Sequence, residues 1–238
     1  MSKCINEFQG LLTNYFRDLV LATAYLKIGD QSVAVAPTTA SVSLTLAHDI
    51  STEPMYLHEL LPHSSAVSHG VCELFQTKTI AAWGDLLNAL FERFVTLHVE
   101  GAKQYPELKK RATRVDFSSA EDFTLQVRAG LVADFAFNKY LDRIQVINRV
   151  LNTEGTFQDE LSIIRKHVAI RNAIQHHSGH IYSDMLKELG CNQLSVFDHS
   201  GAQLSLIVGE SIKLFVPELD YLKSALFRVT NYWRARFA

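Results

Sequence analysis

Apolar side chains recurring at three- and four-residue steps constrain this chain more than any other feature. From Asn6 to about Ile28 the spacing of Phe8, Leu11, Leu12, Tyr15, Phe16, Leu19, Val20 and Ala22 lays an apolar stripe along one helix. The period returns through Ala81, Trp83, Leu86, Leu87, Leu90, Phe91, Phe94, Val95 and Leu97. It is predicted again from an N-cap at Ser118 or Ser119 to about Leu151 with a break near Gly130, from about Phe157 to His177, and from Pro217 to about Trp233. Gly29-Asp30 is expected to end the first of these helices and Gly179 the fourth. Helices striped in this way must cover their stripes against one another, so the expected fold is mainly α, a helical bundle.

Two segments break the period. Residues 32–47 alternate Val33, Val35, Val42, Leu44 and Leu46 with small or polar residues, which predicts a β-hairpin inserted in the bundle. A second hairpin is predicted over about 194–215, with strands at Leu194–Phe197 and Gln203–Val208 about the turn Asp198-His199-Ser200-Gly201, and a third strand at Lys213–Phe215. Residues 54–70, with Pro54, Pro62, Gly70 and three histidines, read as loop. No repeat or linker divides the chain, so 1–238 is expected to form a single domain.

Composition excludes more than it identifies. Charge interrupts the longest apolar runs and no apolar leader follows Met1, so neither a membrane span nor export is expected, and a cytoplasmic location is. Cys4, Cys72 and Cys191 are odd in number and lack CxxC spacing, which points away from a disulfide framework or a zinc site. A net charge of −2 argues against coating nucleic acid by bulk electrostatics, leaving only a focal RNA contact. GxSxG, HExxH, P-loop and GxGxxG elements are missing from the sequence, and no metal or cofactor is expected.

Chemistry concentrates in Arg171-Asn172-Ala173-Ile174-Gln175-His176-His177-Ser178-Gly179. On a helical wheel Arg171 falls inside the apolar arc of Ile163, Ile164, Val168, Ile170 and Ile174, a costly place for a permanent charge. It demands a carboxylate from another helix or a ligand anion. His176 lies about 140° around the wheel from Arg171 and cannot share its face while the helix stays regular. Either the helix unwinds at its end or two copies of it meet, making the active unit a dimer. An arginine to hold a phosphate and a histidine to move a proton near neutral pH are the pair that metal-free RNA cleavage requires.

This segment, set late in a helical bundle, resembles the HEPN superfamily, whose signature is an Arg followed by four to six residues and a His, with a polar residue commonly beside the Arg. The Trp83-Gly84-Asp85-Leu86-Leu87-Asn88-Ala89-Leu90-Phe91 helix, the Arg165-Lys166-His167-Val168-Ala169-Ile170 lead-in and the His177-Ser178-Gly179 exit are similar to groups related to the RiboL-PSP type. The resemblance implies a metal-independent endoribonuclease, a toxin or anti-phage effector, dimeric with a composite site. It casts Arg171 as the phosphate-stabilising group and His176 as the general base or acid for attack by the ribose 2′-hydroxyl, leaving a 2′,3′-cyclic phosphate and a 5′-hydroxyl. Asn172 would orient the site, with His177 beside it and Asp85 or Glu92 joining from an earlier helix. An antitoxin or other protein partner is implied as well. The alternative is a non-catalytic HEPN-like module that binds RNA or protein through the same cleft. Ser178 stands where one subgroup carries Tyr, so modification of such a Tyr is not implied.

The other polar clusters read more plainly. Lys109, Lys110 and Arg111, with Lys103 and Arg114 against Glu107, form a basic run that would guide an RNA backbone or simply be solvated. His58, His63 and His69 match no zinc spacing. His167, on an apolar face, is expected to be a packing residue.

Overall fold

In a computed structural model of the chain, residues 1–43, 45–47, 50–108, 113, 115–118 and 120–237 are described. Their architecture is mainly helical: α1 (Ser2–Ala34), α2 (Leu57–Val99), α3 (Phe123–Phe137), α4 (Tyr140–Val150), α5 (Gln158–His176), α6 (Ser183–Leu189) and α7 (Val216–Ala235). Between α1 and α2, β1 (Ser41–Val42) pairs antiparallel with β4 (Met55–Tyr56) around a nested pair, β2 (Thr45–Ala47) with β3 (Ile50–Ser51). Between α6 and α7, β5 (Leu194–Phe197) pairs antiparallel with β6 (Gln203–Leu206), Leu194 facing Leu206 and Phe197 facing Gln203.

The long α2 is the axis. It packs against α1, α3, α4, α5 and α7, and its buried face carries Trp83, Leu87, Leu90, Phe91 and Phe94. Trp83 stacks on Trp233 of α7 with ring centroids 5.3 Å apart, and Phe91 lies parallel to Phe135 of α3 at 3.9 Å. A second cluster, containing Leu19, Cys72, Ile170, Ala173, Met185, Val196 and Leu214, ties α5, α6 and the β5–β6 hairpin to the middle of α1 and α2. Burial pushes the Cys72 thiol up to about 11, with the Glu73 charge adding, so it behaves as an apolar packing residue.

Several boundaries differ from those expected. α1 runs through Gly29 to Ala34, because its continuation is packed along α2 and this packing outweighs the intrinsic helix cost of glycine, about 1 kcal/mol. The first hairpin therefore lies at residues 41–56 rather than 32–47, and Leu44 falls outside the described residues. Residues 57–70 are helix, not loop, although Pro62 sits inside it and cannot donate to the turn before. Asp30 of α1 accepts from the Ser64 hydroxyl there, so the packing of one helix holds the other. The N-cap after the basic connector is Asp122, whose side chain accepts from the Thr124 and Leu125 amides, and the break falls at Asn138-Lys139 rather than at Gly130. The second hairpin ends at Leu206, and Lys213–Phe215 is not a strand; instead Ser211 bridges His180. α5, α7 and the β5–β6 pair lie where the period and the turn residues put them.

Candidate functional site

α5 is built by local signals and locked by distant ones. Asp159 and Glu160 in its first turn face the positive end of the helix dipole. At the other end the Gly179 and His177 amides both donate to the Ala173 carbonyl, at 3.0 and 2.8 Å, with Ser178 and Gly179 in left-handed conformation at φ 51° and 73°. The Gly179 carbonyl accepts from the Ile212 amide, pinning the exit to the segment before α7. α5 is therefore regular through His176, and the route in which its last turn unwinds to swing the imidazole toward Arg171 is not taken.

Arg171 is half-buried and donates from Nη1 to Asn172 Oδ1 at 3.2 Å. Among the described residues no carboxylate lies within ion-pairing distance of it, so most of its five N–H donors are uncommitted. His176 is exposed on the last turn and makes no hydrogen bond or ion pair among the described residues. His177 is also exposed, its ring stacked on Tyr182 at 3.8 Å. Within one protomer the helix sets Arg171 and His176 on different faces, about 140° apart.

A cleft of about 710 Å³ opens between α4, α5 and α6. Asn172 and Arg165 line it with Lys139, Asp142 and Glu188 over apolar side chains such as Ile164 and Val168; neither Arg171 nor His176 does. Asp85 and Glu92 are exposed on α2, and neither bonds to Arg171 or His176. Asp85 acts on another group, favouring the charged form of Arg143. Lys109, Lys110 and Arg111 fall outside the described residues.

Two buried charge sites escaped sequence reasoning. Arg143 of α4 is 4% exposed, donates to the Gly84 carbonyl and at 2.9 Å to Asn88 Oδ1, and stacks on Tyr140 at 4.9 Å. Burial draws its guanidinium below the ordinary range, opposed by Tyr140 and Asp85. The second site joins α5 to α7. Glu218 is wholly buried, with Oε1 2.6 Å from Lys166 Nζ and 2.9 Å from His167 Nε2, while Oε2 accepts from the Phe197 amide at 2.8 Å. Lys166 also donates to the Ser195 carbonyl at 3.0 Å. Burial alone would raise the Glu218 carboxyl, but its neighbours His167 and Lys166 prevail and hold it at about 2. Burial also pulls His167 down, so the ion pair is Lys166–Glu218 and His167 is neutral, with Nδ1 buried and unpartnered. His167 is thus the packing residue expected of it, and it packs against a charge. The only sequence sign of Glu218 was an acid after Pro217, which any helix start would accommodate.

The three histidines of the α2 amino-terminal half do not converge. His69 is buried against the Leu214 carbonyl and the Phe215 ring, whereas His58 and His63 are exposed, and among the described residues no group of His, Cys, Asp and Glu has metal-binding geometry. Among them, too, no helix is long and apolar enough to cross a membrane. No family model, curated protein or solved structure matches the chain.

Proposed function

We propose that the chain is a metal-independent endoribonuclease of HEPN type, its site completed across a two-fold axis by a second copy, and that it serves in the cytoplasm as a toxin or anti-phage effector under the control of an antitoxin or similar protein partner. One observation carries the reading: on a single regular helix, Arg171 keeps most of its donors free while the imidazole of His176 stands exposed and unengaged one and a half turns away. Neither group is engaged with another helix among the described residues, unlike Arg143, bonded to Asn88, and Lys166 and His167, both held against Glu218.

In the proposed reaction the guanidinium of Arg171 binds the scissile phosphate and the charge that develops on it. His176 of the facing protomer takes the proton from the 2′-hydroxyl or returns one to the 5′-oxygen that leaves. Asn172, bonded to Arg171, orients the fork. The products are a 2′,3′-cyclic phosphate and a 5′-hydroxyl, and no metal enters.

The test is incubation of the purified protein with mixed RNA in EDTA, with end-group analysis of the fragments. Cleavage abolished by Arg171→Ala and by His176→Ala is expected; intact RNA, or cleavage indifferent to both, rejects the proposal. A second reading, a non-catalytic module that binds RNA or protein, draws on the separation of Arg171 and His176 within one protomer and on the cleft beside Asn172. It predicts RNA or partner binding without cleavage.

A further inference from the structure

Beyond Leu19 the α1–α2 hairpin leaves the bundle, and among the described residues between Leu19 and His69 no side chain is buried. The face of α1 turned to α2 carries half-buried Ala22, Leu26 and Val33. The opposite face is polar in the first half of the helix, where Lys3, Glu7, Asn14 and Asp18 are exposed. At Leu21 it changes. From there the same arc carries Leu21, Tyr25, Ile28, Ser32 and Val35, spaced four, three, four and three, flanked by Ala24 and Gly29. All seven are exposed and none is charged; Tyr25 is 74% exposed, Ile28 59% and Val35 84%. A helix apolar on two opposite sides is made to lie between two partners, and among the described residues only one is present.

We propose that this second stripe pairs with the same stripe of another copy of the chain, antiparallel about a two-fold axis at Ile28. Leu21 and Val35 stand seven residues to either side of Ile28, so this pairing sets Ile28 against its twin and Leu21 against Val35 of the other copy. A two-fold contact brings every residue near its axis against its own equivalent, so a charge there would repel itself. The stripe satisfies that requirement by carrying none. At roughly 150–200 Å² for each whole side chain, full burial of the exposed parts of Leu21, Tyr25, Ile28 and Val35 removes about 800–1,060 Å² over both copies, near the roughly 1,000 Å² that a biological interface must clear. Ala24, Gly29 and Ser32 add to it. The contact lies on α1, away from α5, and stands independently of the nuclease reading.

Light scattering and sedimentation of the full chain test it. The wild type is expected to be a dimer, or a tetramer where α5 pairs as well, and Ile28→Glu and Tyr25→Asp to halve the molar mass while leaving far-ultraviolet dichroism unchanged. Under mild oxidation Ile28→Cys should form a linked dimer that Lys27→Cys, on another face, does not. A monomeric wild type, a molar mass that Ile28→Glu leaves unchanged, or an assembly dissociated only by His176→Glu on α5 would overturn the proposal. So would a stripe covered by a different protein in a monomeric chain.

Discussion

Nε2 of His167 and Oε1 of Glu218 lie 2.9 Å apart with both side chains fully buried, 51 residues distant in sequence and on different helices. Lys166, one residue before His167, reaches the same oxygen from the edge of the core at 2.6 Å. α5 is thereby fastened to α7 by a charge pair, with a neutral imidazole beside it, and the Phe197 amide draws the β5–β6 hairpin into the same knot.

Removing one partner of a buried pair strands the other. Glu218→Ala is therefore expected to cost about 3–5 kcal/mol, read from the urea midpoint at constant slope. Lys166, whose side chain is 17% exposed, can turn to water, so Lys166→Met should cost less than Glu218→Ala. Equal losses would mean that the ammonium is as trapped as the carboxylate.

The same knot sets an acid sensitivity. Glu218 is held at about 2 in the folded chain, below its ordinary value of 4.5, so its contribution is whole above about pH 4.5 and is lost as pH falls toward 2. His167 is also depressed when folded: below about pH 6.5 the unfolded chain takes up a proton that the folded chain refuses. Both signs agree, and stability should fall on acidification, beginning in the histidine range. His167→Gln should remove the upper part of that slope in a series of melts from pH 7.5 to 4; a curve identical to wild type counts against it.

Gly84 is required by a neighbour rather than by its own dihedrals. A Cβ there would stand 2.8 Å from the Tyr140 hydroxyl and 3.3 Å from its Cε1, and the Gly84 carbonyl accepts from Arg143. Despite alanine's helix preference, Gly84→Ala is expected to lose about 1–3 kcal/mol through overpacking. Gly10→Ala, with nothing within 4 Å, should instead gain roughly 0.5–1 kcal/mol. Chemical denaturation of the two variants side by side gives opposite signs if this is right.

His176 supplies a test that separates chemistry from folding. It is exposed and bonded to nothing described, so His176→Ala should change stability by no more than about 0.5 kcal/mol. RNA cleavage, on the proposed mechanism, should drop by about 10²–10⁴. Activity lost only in proportion to folded protein would speak for a structural role.

Legibility followed the range of the forces. α5 was readable because its acids at the start, its apolar period and Gly179 at the end are all local, and α7 because Pro217 pre-sets its first turn. Residues 57–70, the start of α2, were less so: Pro62 and Gly70 speak for a loop when each is judged against water, and are tolerated when α1 lies alongside. In the candidate site, the residue types of Arg171, Asn172 and His176 and their separation on the wheel were legible, while the freedom of Arg171 from any described carboxylate was not. Arg143 gave no sign at all and Glu218 only that of an ordinary helix start, since a buried charge is recognisable only beside its partner.

The amino-acid order by itself determined a helical chain, where its periodic segments lie, and the turn that stops α5 after His176. Those follow from backbone preferences and side-chain spacing acting over a few residues. Which charges are sealed, that Arg171 bonds Asn172 rather than an acid, and that α1 leaves one apolar face uncovered were decided only when distant segments met. Desolvation and pairing are properties of neighbours in space, and no single stretch of chain contains them.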